Sequence, residues 1–366
     1  MANELKPDRE LAHRLFQSLG SMEGFAEPEA APPTRTWGPG ATLKAIYPGA
    51  LVAIAVALSA QWVSQHYGAP VMLFALLFGM TFNFLHEDGR CVAGIEFTSK
   101  VVLRIGVALL GARITLEQIA GLGAGPILIV IAAVATTILL GVGLGRALKL
   151  SPTFGILSGG AVAICGASAA LAIAAVLPRH PDSERDTVLT VVAVTTLSTI
   201  AMITYPLLTV LLGLDHASAG VFLGGTIHDV AQVVGAGYTI SPETGDVATY
   251  VKLLRVTLLL PVVFLIAFVA MRRSRAAEPK AKASVPLFLI GFAALVALGS
   301  FGMISRPISD TASAVSRWCL VAAIAALGMK TSFKTLMTVG WKPLAMLVAE
   351  TAWIAGLMLA YVALRH

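Results

Sequence analysis

Apolar positions in this chain fall in long blocks, not in the alternation of a half-buried strand or the one-sided spacing of a surface helix. From Ala45 onward, blocks of about 17 to 25 residues recur to the C-terminus. Each is long enough to cross a ~30 Å hydrocarbon core as a helix rising 1.5 Å per residue. The pattern predicts about eleven spans, near 45–64, 70–87, 97–111, 125–147, 154–178, 187–212, 219–239, 251–271, 286–303, 315–329 and 343–364. The expected fold class is therefore an all-α polytopic membrane protein with about eleven transmembrane helices.

Residues 1–43 break this pattern. They are polar, with a Pro-rich stretch from Glu27 to Pro39, and they lack the apolar core of a signal peptide, so the first apolar helix is expected to be retained. Glu10–Leu19 has the spacing of a short amphipathic helix, and a disordered tail fits the same composition. We read 1–43 as a cytoplasmic tail and 44–366 as a single transmembrane domain.

Composition sharpens the class. Only 13% of residues are charged against 57% hydrophobic, about half the charge of an ordinary soluble domain, which excludes a soluble enzyme. The net charge of +6 does not indicate nucleic acid, because the basic residues cluster in short connections between apolar blocks. With the N-terminus in the cytoplasm, sixteen Lys and Arg fall inside and five outside, as the positive-inside rule demands. Cys91, Cys165 and Cys319 are too scattered for a disulfide framework or a zinc site, and no metal site is expected.

An internal repeat follows. Gly111, Arg113, Thr115, Leu116, Ile119, Leu122, Gly123, Pro126 and Ile127 recur 217 positions later as Gly328, Lys330, Ser332, Phe333, Leu336, Val339, Gly340, Pro343 and Leu344. Ser99-Lys100 matches Ser316-Arg317 in the same register, and Pro70 resembles Pro286. The copies, within 70–147 and 286–364, are seven spans apart. An odd separation inverts their orientation, a signature of secondary transporters.

Spans five and seven are rich in glycine and polar residues. The seventh carries Thr226, His228, Asp229 and Gln232, and burying these unpaired in hydrocarbon is too costly for a regular lipid-facing helix. Close packing of small residues explains part of this composition; discontinuous helices lining a polar cavity explain the rest. We therefore expect two discontinuous helices, which either span or re-enter the membrane. Asp229, at mid-span, is the ion-coupling candidate, with His228 as a hydrogen-bonding or proton-shuttling neighbour. A structural ion pair of Asp229 with Arg104, Lys252 or Arg255 is the competing reading. Lys100, Lys252 and Arg317 are expected to snorkel to the interface, whereas Arg104 lies too deep to do so. Gly166, Ala167, Ser168 and Thr226 are candidates for an anion site at a half-helix N-terminus, with Arg104 as its fixed positive charge and Gln232 as a further contact.

The segments Ser158-Gly-Gly-Ala-Val-Ala-Ile-Cys-Gly-Ala-Ser168, Gly224-Gly-Thr-Ile-His-Asp-Val-Ala-Gln232 and Leu110-Gly-Ala-Arg-Ile-Thr115 resemble the YeiH-type family of bacterial membrane proteins, to which sulfate export is ascribed. The resemblance covers most of the chain after residue 45. It implies an inner-membrane secondary carrier of a sulfur oxoanion and, more distantly, the crossed broken helices of bile-acid and sodium/proton carriers. Spans five and seven are parallel in the topology above, so they are inverted mates only if one is re-entrant.

The function expected is ion-gradient-coupled transport, most simply export, of a small anion of the sulfate or sulfite class. Uptake of an organic anion such as a sulfonate and an uncoupled anion channel are the alternatives. No nucleotide, nucleophile-base or other enzyme motif is present. The implied partners are a small inorganic or organosulfur anion, the lipid bilayer and a coupling proton or sodium ion, without cofactor or nucleic acid; a homodimer is open.

Overall fold

The computed structural model describes residues 39–67, 70–87, 89–151, 153–178, 180–273, 287–331 and 341–364, and every regular element among them is helical. The tail before Pro39, and repeat positions Ser332, Phe333, Leu336, Val339 and Gly340, lie outside the described residues.

Each expected span has a helical counterpart. The elements are α1 (Pro39–Tyr67), α2 (Val71–Thr81), α3 (Val92–Phe97), a π-helical turn (Thr98–Val102), α4 (Leu103–Leu110), α5 (Gly125–Ala147), α6 (Phe154–Ala163), α7 (Ala167–Val176), α8 (Ser183–Leu211), α9 (His216–Thr226), α10 (Val230–Ile240), α11 (Pro242–Thr257), α12 (Leu259–Arg273), α13 (Leu287–Ser300), α14 (Arg306–Lys330) and α15 (Trp341–Ala363). Among the described residues six segments, one of them formed by α11 and α12 together, are long and apolar enough to cross a membrane. The shorter elements arise where the sequence interrupts a span.

Two boundaries differ from expectation. The eighth span begins at Pro242 instead of residue 251, because Ser241 caps the helix by accepting from the Thr244 N–H and Pro242 supplies a preset first-turn residue. Polar residues lowered the hydropathy of this stretch, yet from Thr244 onward it is buried or half-buried against protein, where lipid hydropathy does not apply. The tenth span likewise starts early, at Arg306, with Pro307 in its first turn.

The helices pack as two bundles. One contains α1, α2, α3, the π turn, α4, α13 and α14; the other contains α5 to α12 and α15. They meet chiefly where α10 lies against α2 and α14. α8 and α14 are the most enclosed of the long helices, whereas α1 and α5 turn most of their surface outward, exposing Leu51, Ile54, Leu58, Leu128, Ile131 and Leu139. Such a surface suits lipid. The threonines of enclosed α8 satisfy themselves: the hydroxyls of Thr187, Thr190, Thr196, Thr199 and Thr204 each donate to the carbonyl four residues back.

Close backbone approach holds the first bundle together, as expected where lipid removes the hydrophobic drive for helix association. A Cβ on Gly111 would overlap the carbonyl of Phe292, and one on Gly328 would overlap that of Leu76. These contacts are reciprocal in sequence: Gly111 and Gly328 are 217 residues apart, Leu76 and Phe292 216. The neighbouring carbonyls, also 217 apart, are treated alike, since Asn83 Nδ2 donates to Met329 O at 2.7 Å and Ser309 Oγ donates to Ala112 O at 2.9 Å.

Candidate functional site

The second bundle contains two broken helices. α6 ends at Ala163 and α7 begins at Ala167; between them Gly166 takes φ 67°, a conformation that side chains disfavour. Its N–H donates to Ala161 O at 2.8 Å and closes the end of α6. α9 ends at Thr226 and α10 begins at Val230, with Ile227 and Asp229 extended. The breaks are neighbours: a Cβ on Gly166 would lie 3.5 Å from His228 Cβ.

A break leaves carbonyls unpaired at the end of each first half-helix, and in a membrane interior these need donors. One turn of α11 provides them. Lys252 Nζ donates to Ile164 O at 2.7 Å and Ile227 O at 3.0 Å. Arg255 Nε donates to Ala163 O at 2.9 Å and one terminal nitrogen to Val162 O at 2.7 Å; the other terminal nitrogen reaches Ile227 O at 3.1 Å and Gly224 O at 3.3 Å. Both cations are enclosed, at 0% and 1% exposure. Snorkelling of Lys252 is thereby overturned: the carbonyl ends of two helices hold its ammonium more favourably than the interface would. Glycines let α11 come this close, with Gly224 against the Ala248 carbonyl and Gly237 against Gly245.

The second half-helices present N-termini. Asp229 caps α10, its Oδ1 accepting from Ala231 N at 2.7 Å, while its own N–H donates to Ser198 Oγ at 3.0 Å. No side chain among the described residues caps α7. Ser168 in its first turn and Asp229 are partly accessible, whereas Gly166, Ala167, His228 and Gln232 are buried. Access to the crossing therefore reaches Ser168 and Asp229.

The remaining candidates divide. His228 Nε2 lies 3.0 Å from Thr351 Oγ1, whose own proton goes to Leu347 O, so Nε2 is the donor. Nδ1 has no hydrogen-bond partner among the described residues. Gln232 gives its amide N–H to Thr199 Oγ1 at 2.8 Å and leaves Oε1 as an open acceptor, which suits a cation or proton donor better than an anion. Thr226 sits at the C-terminal end of α9, not at a half-helix N-terminus, and its hydroxyl donates to Phe222 O at 2.7 Å. It has no donor to offer an anion there. Arg104 is half-buried on α4 in the other bundle, and the cations hydrogen-bonded at the breaks are Lys252 and Arg255.

Two charged clusters flank this centre. Glu96 pairs with Lys100, Lys330 and His86 near the end of α14. Elsewhere, Asp246 of α11 pairs with Arg113 at 3.1 Å and accepts from the Tyr238 hydroxyl, tying the second bundle to the chain beyond α4. A cavity of about 660 Å³ opens beside Arg113, Asp246, His216 and Tyr250, and another of about 510 Å³ lies between Arg113, Ser309, Ser313 and Arg317.

Sequence reasoning passed over Glu350, wholly buried in α15. As an ionisable residue near mid-span it carried the same signal as Asp229.

Residues 46–347 match the family model described as conserved hypothetical protein 698. A UPF0324 membrane protein of Chlorobaculum tepidum is 54% identical over 318 residues, 86% of this chain and 89% of its own length. The UPF0324 membrane protein TauZ of Paracoccus pantotrophus is 54% identical over 312 residues, 84% and 92% of the two chains, and one from Rhizobium meliloti is 52% identical over 315 residues, 86% and 91%.

Proposed function

The chain belongs to the conserved hypothetical protein 698 family of multi-pass UPF0324 membrane proteins, and on that footing we propose that it is a secondary active carrier of a small sulfur oxoanion, of the sulfate or sulfite class, and not an enzyme. The observation that carries this reading is the charge at the crossing of the broken helices. Each helix end bears about half a unit of charge, so the two carbonyl ends offset the two N-H ends. Lys252 and Arg255 then leave about one positive unit with Asp229 ionised and about two with it protonated. A site of that sign, reached by way of Ser168 and an uncapped helix N-terminus, suits an oxoanion.

The same arithmetic supplies coupling. A dianion beside Asp229 is repelled while the carboxylate is ionised and accepted once a proton or sodium ion neutralises it, so anion and cation bind together. Ala167 and Ser168 contribute backbone N–H groups and Ser168 a hydroxyl, with Gly166 forming the turn that presents them, while Gln232 Oε1 and Asp229 face the coupling cation. His228, neutral through its Nε2–H to Thr351, keeps Nδ1 as a hydrogen-bond acceptor within the site. A dianion leaving with one proton or sodium ion still carries one net negative charge outward, so an inside-negative potential, worth about 2.3 kcal/mol per charge per 100 mV, and not the inward chemical gradient of the cation, drives export across a bacterial inner membrane. The reciprocal contacts of Gly111 with Phe292 and Gly328 with Leu76 support an inverted repeat, with the N-terminus cytoplasmic as the charge bias of the loops favours.

Reconstituted vesicles test the proposal. Radiolabelled sulfate and sulfite are expected to accumulate or leave in response to an imposed proton or sodium gradient. Flux confined to taurine would replace the substrate class, conduction indifferent to gradients would make the protein a channel, and absence of anion flux under every gradient would end the carrier reading.

A further inference from the structure

Glu350 lies outside the crossing. Its side chain is 0% exposed, Oε1 accepts from Ser158 Oγ at 2.9 Å, and Oε2 has no hydrogen-bond partner among the described residues. No described Lys, Arg or His comes within ion-pair distance of it. Its wall is tight: a Cβ on Gly141 of α5 would lie 2.6 Å from Oε1 and 2.5 Å from the carbonyl of Gly155 on α6.

The elements packed on α15 are α5, α6, α8 and α9. α5 presents Thr137 and Gly141 on one face and α6 presents Gly155, Ser158 and Gly159, none of them titratable. The charged residues of α8, Glu184, Arg185 and Asp186, all lie in its first turn, where Asp186 is engaged with Ser151 and His180. Beyond α9, His228 is held by Thr351, the residue next to Glu350, and Lys252 and Arg255 are taken up by the break carbonyls.

A carboxylate without a cation in so dry a place is strongly disfavoured, so the group stands as the acid, its O–H on Oε2. An amide would fill the same space and make the same bond to Ser158. The distinguishing property of the carboxyl is that it can release a proton.

We propose that Glu350 is a proton-binding site, separate from Asp229, that is loaded while α6 rests against it through Ser158 and unloads when α6 shifts. On unloading, water reaches Oε2, the O–H bond breaks, the proton passes to that water and the electron pair stays on the carboxylate. Its use in coupling rests on the carrier reading; its chemistry does not.

Infrared difference spectroscopy of the purified full-length protein, between acidic and alkaline buffer and with and without sulfate, tests the site directly. A protonated-carboxyl band is expected that is lost in Glu350→Gln, displaced in Ser158→Ala through loss of the hydrogen bond, and bleached in alkali or on adding sulfate. A Glu350 band unmoved by both makes the residue a fixed structural acid, and absence of any Glu350-dependent band makes it ionised; either overturns the proposal. If Glu350→Gln does not fold, the displaced and bleaching band of Ser158→Ala decides alone. In vesicles, Glu350→Gln is expected to lose accumulation driven by a pH gradient, down to the level of counterflow. Wild-type vesicles that carry no sulfur oxoanion at all would defeat the carrier reading and leave the infrared result standing.

Discussion

Removal of the Arg255 fork tests how the breaks are held. In Arg255→Met the stem is replaced by a chain of similar reach, and the carbonyls of Val162, Ala163 and Gly224 lose the side-chain donor they have, while Ile227 keeps Lys252. Each buried carbonyl so orphaned costs about 1–3 kcal/mol. The bond to Gly224, at 3.3 Å, is the weakest, so a total of about 3–5 kcal/mol is expected, in line with removing one member of a buried ionic set. Arg255→Lys preserves the charge, but a single ammonium cannot reach α6 and α9 together, and a loss of about 1–3 kcal/mol is expected. Unfolding by sodium dodecyl sulfate in mixed micelles, followed by tryptophan fluorescence, gives both values. The reasoning fails if Arg255→Met unfolds at the wild-type midpoint, or if lysine restores full stability.

Three further outcomes are expected. Asp229→Asn keeps the shape and the helix cap but cannot bind a proton, so gradient-driven accumulation should vanish while sulfate counterflow persists; unchanged coupling would refute the role, and failure to fold would favour a structural ion pair. Gly111→Ala and Gly328→Ala force a Cβ onto the carbonyls of Phe292 and Leu76 and should each cost about 1–3 kcal/mol in the same unfolding assay, a near-zero cost at either contradicting the reciprocal packing. Residues 97–127 and 314–344 should superpose about an axis in the membrane plane, so single cysteines placed at positions 113 and 330 should react with impermeant thiol reagents from opposite faces, and labelling from the same face would remove the inversion.

The spans were legible because long apolar blocks in lipid leave a helix little alternative, and the breaks because Gly166 and the Thr226–Gln232 polar run suit no lipid-facing helix. The early start of the eighth span was hidden, since Glu243, Asp246 and Lys252 depress hydropathy whether a residue faces water or protein. For Lys252 and Arg255, depth alone could not show that their partners are backbone carbonyls, which carry no side-chain signature. That Arg104 lies on the other bundle from the broken helices was not legible either, because bundle membership is decided by packing and not by span order. Glu350 was within reach of the rule applied to Asp229.

The stapling of both breaks by one turn of α11 has a mechanical consequence. Lys252 and Arg255 each span carbonyls from α6 or its break and from α9 or its break, so neither break opens alone without tearing bonds from the other. On the carrier reading, α6, α7, α9, α10 and α11 then move as one rigid block that takes the proposed anion site with it. On α14 the side chain that meets this block is Ile324, whose Cδ1 seats over Gly235 of α10, so passage along α14 has to lift that one knob out of a glycine-floored notch.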